Sequence, residues 1–201
     1  MMGGSMKKES KLYLFRDRSD YIKVITSDNI FNVTGEKGSG KSFFGNMKDE
    51  LDTIVVHLDP LFQPIGNKEH GDTLKVRKIL IATFSDEISS SNFEKMYYKV
   101  IVNYLKEMKK ESYIEGGSFL HFEDVSSLQG TIIVKRTGVF KCFFRAVKRD
   151  YANEYFMNEE IKKHGKFAKI TRLYNVIKRR KKIFKSYHLV EKFIEKLENI
   201  G

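Results

Sequence analysis

Residues Gly35 to Ser42 read G-E-K-G-S-G-K-S and satisfy G-x-x-x-x-G-K-[ST] at every fixed position. Glycines at 35, 38 and 40 let the backbone curl so that successive N–H groups point inward at phosphate oxygens. A lysine in the place of Lys41 bridges β- and γ-phosphates, and a hydroxyl in the place of Ser42 takes a position on Mg²⁺. A helix starting there would add the positive end of its macrodipole. The candidate nucleotide-contacting set is therefore Gly35, Glu36, Lys37, Gly38, Ser39, Gly40, Lys41, Ser42 and Phe43. The expected cofactors are ATP and Mg²⁺, although the motif itself does not separate ATP from GTP.

A nucleotide-bound Mg²⁺ also needs a nearby acid, and two apolar runs end in one. Asp59 closes "TIVVHLD" and Glu115 follows "SYI". Ligands of open α/β sheets bind beyond the carboxyl ends of the strands, so either acid is a candidate metal partner beside Ser42. A third group is cationic. At about 100° per residue, "VFKCFFRAVKRDY" (139–151) gathers its apolar residues in one arc and Lys141, Arg145, Lys148 and Arg149 in the other. Arg145 and Arg149 lie one turn apart with no acid between them on that face. Such a pair can grip phosphate oxygens bidentately and neutralise charge that develops during transfer. The candidate catalytic residues are thus Lys41, Asp59, Arg145 and Arg149.

Positioning these groups requires alternating strands and helices. Strands are expected at "KLYLF" (11–15), "YIKVI" (21–25), "NIFNV" (29–33), 53–59, 112–117 and 131–136. Helices are expected at 41–51, 93–110, 139–151, 159–163, 168–185 and 190–199. Both prolines, Pro60 and Pro64, fall in "LDPLFQPIGNKEHGD", which reads as a loop. The alternation implies an α/β fold with a mainly parallel sheet and helices on both faces. Residues 1–10 read as a flexible leader and 11–201 as a single domain.

The chain has 201 residues, 41% of them hydrophobic and 13% aromatic, which suits a globular core and argues against disorder. No run approaches the ~18 apolar residues of a membrane span, and the start has no signal-peptide character. The single cysteine, Cys142, cannot form an internal disulfide, and the expected compartment is the cytoplasm. Net charge is +11 and uneven: residues 1–140 hold 20 Lys+Arg against 19 Asp+Glu, residues 141–201 hold 17 against 7. That excess suits a polyphosphate ligand or a nucleic-acid backbone.

The order of parts resembles the P-loop kinases of small molecules, the group that includes adenylate, cytidylate, uridine and shikimate kinases. Four features carry the resemblance: the phosphate loop, a strand ending in Asp59, "IEGG" (114–117), and "TIIVKRTG" followed by "RAVKRDY". The resemblance covers about residues 28–155 and is most specific at the phosphate loop. It implies a three-layer P-loop NTPase fold with a helical lid at about 139–166. It further implies an acceptor-binding segment at about 60–92, with Asp72, Lys75, Arg77 and Lys78 as contacts. Asp59 would then orient or deprotonate a nucleoside- or nucleotide-like acceptor, and Arg145 and Arg149 would close as lid cations. Two other readings stand beside it. One is a nucleotide-binding ATPase module that acts on nucleic acid or protein through its basic C-terminal helices. The other is a relative that binds nucleotide without catalysis. His57 and His121 read as structural.

Overall fold

The computed structural model describes residues 19–49, 51–63, 71–85 and 88–200. The expected strand at 11–15 and the leader lie outside them. So does the whole stretch between Gln63 and Gly71.

Five strands form one mixed sheet in the order β1-β5-β2-β4-β3. They are β1 (Tyr21–Val24), β2 (Ile30–Gly35), β3 (Ile54–His57), β4 (Ser112–Glu115) and β5 (Thr131–Lys135). Strands β2 to β5 pair in parallel and β1 runs antiparallel along β5. Eight α-helices accompany the strands among the described residues. They are α1 (Lys41–Asp49), α2 (Leu58–Phe62), α3 (Gly71–Phe84), α4 (Tyr98–Met108), α5 (Val139–Tyr151), α6 (Glu154–His164), α7 (Ala168–Arg180) and α8 (Lys182–Glu198). The chain is α/β, as its pattern implies.

The chain divides into two compact units. The α/β unit comprises Asp20–Gly35, Gly40–Lys135 and Leu189–Gly201, and the helical unit includes Glu36–Ser39 and Arg136–His188.

In the α/β unit the pleat sends alternate side chains to opposite faces. Val33, Val55 and Tyr113 are buried together on one face, with Phe31, Ile133 and Phe44 of α1 packed against them. The Tyr113 ring stacks on Phe31 at 4.9 Å and meets Phe44 edge-on at 5.7 Å, while the Lys48 ammonium sits 4.8 Å from its centroid. These contacts seat α1 on the sheet. The other face buries Ile54, Val56, Ile114, Ile132 and Val134 under Val76 and Leu80 of α3, Ile101 and Leu105 of α4, and Phe193 and Leu197 of α8. The core holds together because β3 and β4 are buried on both sides, as parallel strands covered on both faces must be.

Three local departures from the sequence expectation have physical causes. The third strand stops at His57 instead of Asp59, because Leu58–Phe62 turns into a short helix with Pro60 in its first turn, where a missing N–H costs nothing. Helix α3 fills much of the expected acceptor segment, its Val76 and Leu80 pinned in the core. The break expected between 185 and 190 falls instead at Lys181: α7 ends at Arg180 and α8 runs unbroken from Lys182 to Glu198.

The helical unit buries Val139, Cys142 and Ala146 of α5 against Ile183 and Tyr187 of α8, with Phe140, Phe143 and Phe184 around them. Asp150, near the end of α5, accepts from Arg180 of α7, and its carbonyl accepts from Arg172. Through its carboxylate and its backbone carbonyl, Asp150 thus ties α5 to two arginines of α7.

Candidate functional site

The motif from Gly35 to Ser42 joins the end of β2 to the start of α1. Gly35, Gly38 and Gly40 have φ of 146°, 91° and 96°. Only glycine adopts the last two without strain. Gly38 has a second constraint inside the helical unit, where a Cβ would lie 2.8 Å from the Cys142 carbonyl oxygen. Glu36 is fully buried there; the Thr137 N–H donates to its Oε2 at 3.0 Å, and the Cys142 thiol lies 3.7 Å away. The Ser39 N–H donates to the Glu36 carbonyl at 3.0 Å, and the Thr137 hydroxyl contacts the Ser39 carbonyl at 3.4 Å. The side chain of Glu36 is therefore a clamp for the loop segment, whereas sequence reading placed it among the nucleotide contacts only by its position in the motif.

At the start of α1, the Phe44 N–H reaches back to the Gly40 carbonyl at 3.0 Å. The N–H groups of Lys41, Ser42 and Phe43 belong to the first turn, which has no intrahelical acceptors for its donors. The Phe43 side chain is exposed.

Register brings the acid into place. Val33 of β2 pairs with Glu115 of β4, which in turn pairs with His57 of β3. All three side chains point to the face covered by α1. Glu115 is buried, and its two oxygens have different partners. The Ser42 hydroxyl donates to Oε1 at 3.3 Å, and His57 Nδ1 lies 3.1 Å from Oε2. His57 is itself buried, its backbone N–H donating to the Thr73 hydroxyl at 3.0 Å. Gly45 of α1 makes room for this arrangement, since a Cβ there would lie 2.9 Å from His57 Cε1. Ser42, Glu115 and His57 thus form one constellation.

Asp59 falls differently. It lies in the first turn of α2, two residues past the end of β3, and is exposed. Of the two acids considered as partners for Ser42, it is Glu115 that touches it. Among the expected acceptor contacts, Asp72 and Lys75 pair with each other at 3.0 Å and Arg77 donates to the Leu61 carbonyl, joining α3 to α2. Lys78 is exposed. Arg145 and Arg149 are both exposed on α5, Arg149 within 3.4 Å of Asp150. Glu123 and Asp124 lie in a loop whose N–H groups are capped by Glu94.

The donor set suits a Mg²⁺-nucleotide. The Ser39 hydroxyl is buried and has no hydrogen-bond partner among the described residues, leaving a donor inside the motif. Ser42 and Glu115 supply two hard oxygen ligands next to each other, as Mg²⁺ prefers. No cluster of three or more His, Cys, Asp or Glu suited to a metal occurs among the described residues. No described helix is long and apolar enough to cross a membrane.

His57, read from the sequence as structural, holds Glu115 in place, a pairing that the sequence did not indicate. Its signal was present, a polar residue closing a β-branched run, but its partner is defined only by the pairing of β3 with β4. Comparison with known protein families, characterised proteins and solved structures finds no match for the chain.

Proposed function

We propose that the protein is an ATP-dependent phosphotransferase with a P-loop NTPase fold, transferring the γ-phosphoryl group to a small nucleoside- or nucleotide-like acceptor. The observation that carries this reading is the hydrogen bond from Ser42 to Glu115, at the end of the strand beside β2. A hydroxyl that follows the motif lysine and a strand-end carboxylate are the pair that a Mg²⁺-triphosphate needs. The parallel order of β3, β4, β2 and β5 agrees with it.

In this reading Lys41 and the loop N–H groups bind the phosphates, and Ser42 and Glu115 would hold Mg²⁺. When bound, the ion neutralises the phosphate charge and fixes the γ-phosphoryl geometry. His57 holds the second oxygen of Glu115, so the carboxylate keeps one orientation. Asp59 is proposed as the acceptor-facing carboxylate, taking the proton of the acceptor hydroxyl. Arg145 and Arg149 are proposed to stabilise the transferring charge and exclude water.

The test is ADP formation from Mg-ATP with a pooled panel of nucleosides, nucleotides and small hydroxyl metabolites. Acceptor-dependent turnover is expected, and Lys41→Ala or Glu115→Gln should each lower it by about 10²–10³-fold. Tight ATP binding with no acceptor-dependent turnover in the unmodified protein would overturn the reading.

A further inference from the structure

Residues 136–188 hold 16 Lys+Arg against 4 Asp+Glu, a net +12, while the rest of the chain holds 21 against 22. The whole cation excess therefore resides in one unit. It is not consumed internally: Lys148, Lys166, Lys169 and Lys178 are exposed and make no ion pair among the described residues. Nor is the surface purely charged. Phe144 on α5 is 64% exposed, and Phe167 and Tyr174, just before and on α7, are 71% and 63% exposed. These rings stand among the unpaired lysines, and their flat faces are open to solvent.

Exposed rings and cations lie side by side. On α5, Phe140, Lys141, Phe144, Arg145 and Lys148 line one shallow groove. On α7 the buried stripe is Ala168, Arg172 and Val176. Tyr174 and Lys178 lie one turn apart on the opposite side, with Phe167 in line. We propose that the helical unit binds single-stranded nucleic acid, its exposed rings stacking on bases and the interleaved lysines meeting phosphates. Unpaired bases offer a π-face to every ring, whereas duplex bases are already stacked and would leave the rings idle. An anionic membrane is the weaker fit. An interfacial helix needs a broad free apolar face, and that of α5 is taken up by the packing of Val139, Cys142 and Ala146 against Ile183 and Tyr187.

The proposal shares only Arg145 with the phosphotransfer reading: none of the other side chains belongs to that site, and the variants tested below leave Arg145 in place. The experiment is fluorescence anisotropy of the full chain with a labelled 20-mer of oligo-dT and with a mixed-sequence RNA of the same length, between 50 and 200 mM salt. The expected result is binding with a log–log salt slope of about −2, corresponding to roughly three phosphates. Phe144→Ala and Tyr174→Ala should each weaken it about tenfold. The double change Lys148→Glu, Lys178→Glu should weaken it further and flatten the slope. Circular dichroism would confirm that these surface variants are folded, and Lys41→Ala should bind the oligonucleotides as the unmodified protein does. Absence of binding at 50 mM salt would overturn the proposal. So would binding that ignores both ring truncations, equal affinity for a duplex of the same length, or tighter binding to vesicles of 30% phosphatidylserine or to polyglutamate.

Discussion

Gly45 is the residue on which the candidate site turns most sensitively. In an exposed helix Gly→Ala is stabilising by roughly 0.5–1 kcal/mol, since alanine loses less backbone freedom. Here the added methyl would press on His57 at 2.9 Å and lie 3.5 Å from Glu115. Overpacking of this kind costs about 1–3 kcal/mol, so the clash wins and Gly45→Ala is expected to destabilise in urea unfolding. In a His57→Ala background the obstacle is gone and the same change should become neutral or stabilising. A coupling energy near zero in that double-mutant cycle would disprove the contact. Glu115→Gln tests the other side of the constellation: Mg²⁺-dependent turnover should collapse, whereas nucleotide affinity measured in EDTA should change less than about threefold. Lys41 and Ser42 were legible in the sequence because their motif is local, eight consecutive residues whose spacing is itself the mechanism. The pairing of His57 with Glu115 was not, because it is set by which strand lies beside which. Asp59 reads as a strand-end acid only if the strand runs on, and a two-residue shift of that end moves it into α2.

At the scale of elements, Asp150 offers the clearest test. Its carboxylate faces Arg180, its carbonyl takes Arg172, and both arginines are largely buried. Removing one partner of a buried pair leaves an uncompensated charge, at about 3–5 kcal/mol. Asp150→Ala should therefore lower the thermal midpoint of the helical unit and expose its α5–α7 connection to limited proteolysis. If the cost is below about 1 kcal/mol, the network is solvated and does not hold the helices together. The strands and the long amphipathic helices were readable because burial imposes a period on them. The short helix α2 was not, since Pro60 signals a turn and a first-turn position with equal force. Nor was the break between α7 and α8. It falls in a cationic run without glycine or proline, where packing of Ile183 and Tyr187 in the helical core decides where one helix ends.

For the whole molecule, ligand linkage gives a test that needs no knowledge of the acceptor. A ligand that binds only the folded state at 100 times its Kd stabilises it by about 2.7 kcal/mol. Mg-ATP should accordingly raise the melting temperature, and Lys41→Ala should abolish the rise. The sheet also has a dependence on the order in which its parts are made. Val190, Phe193, Ile194 and Leu197 of α8 complete the core on the face opposite α1, and Lys196 donates to the Phe122 carbonyl at 2.6 Å. The chain supplies them only after the entire helical unit has been synthesised. A ribosome that has finished all five strands has therefore not yet made a complete core, and the nascent α/β unit must wait with Ile114 and Ile132 incompletely covered. Stalling or termination at His188 would leave all five strands present and the unit unable to fold stably, a vulnerability to chaperone capture and proteolysis that vanishes once the second half of α8 has been made.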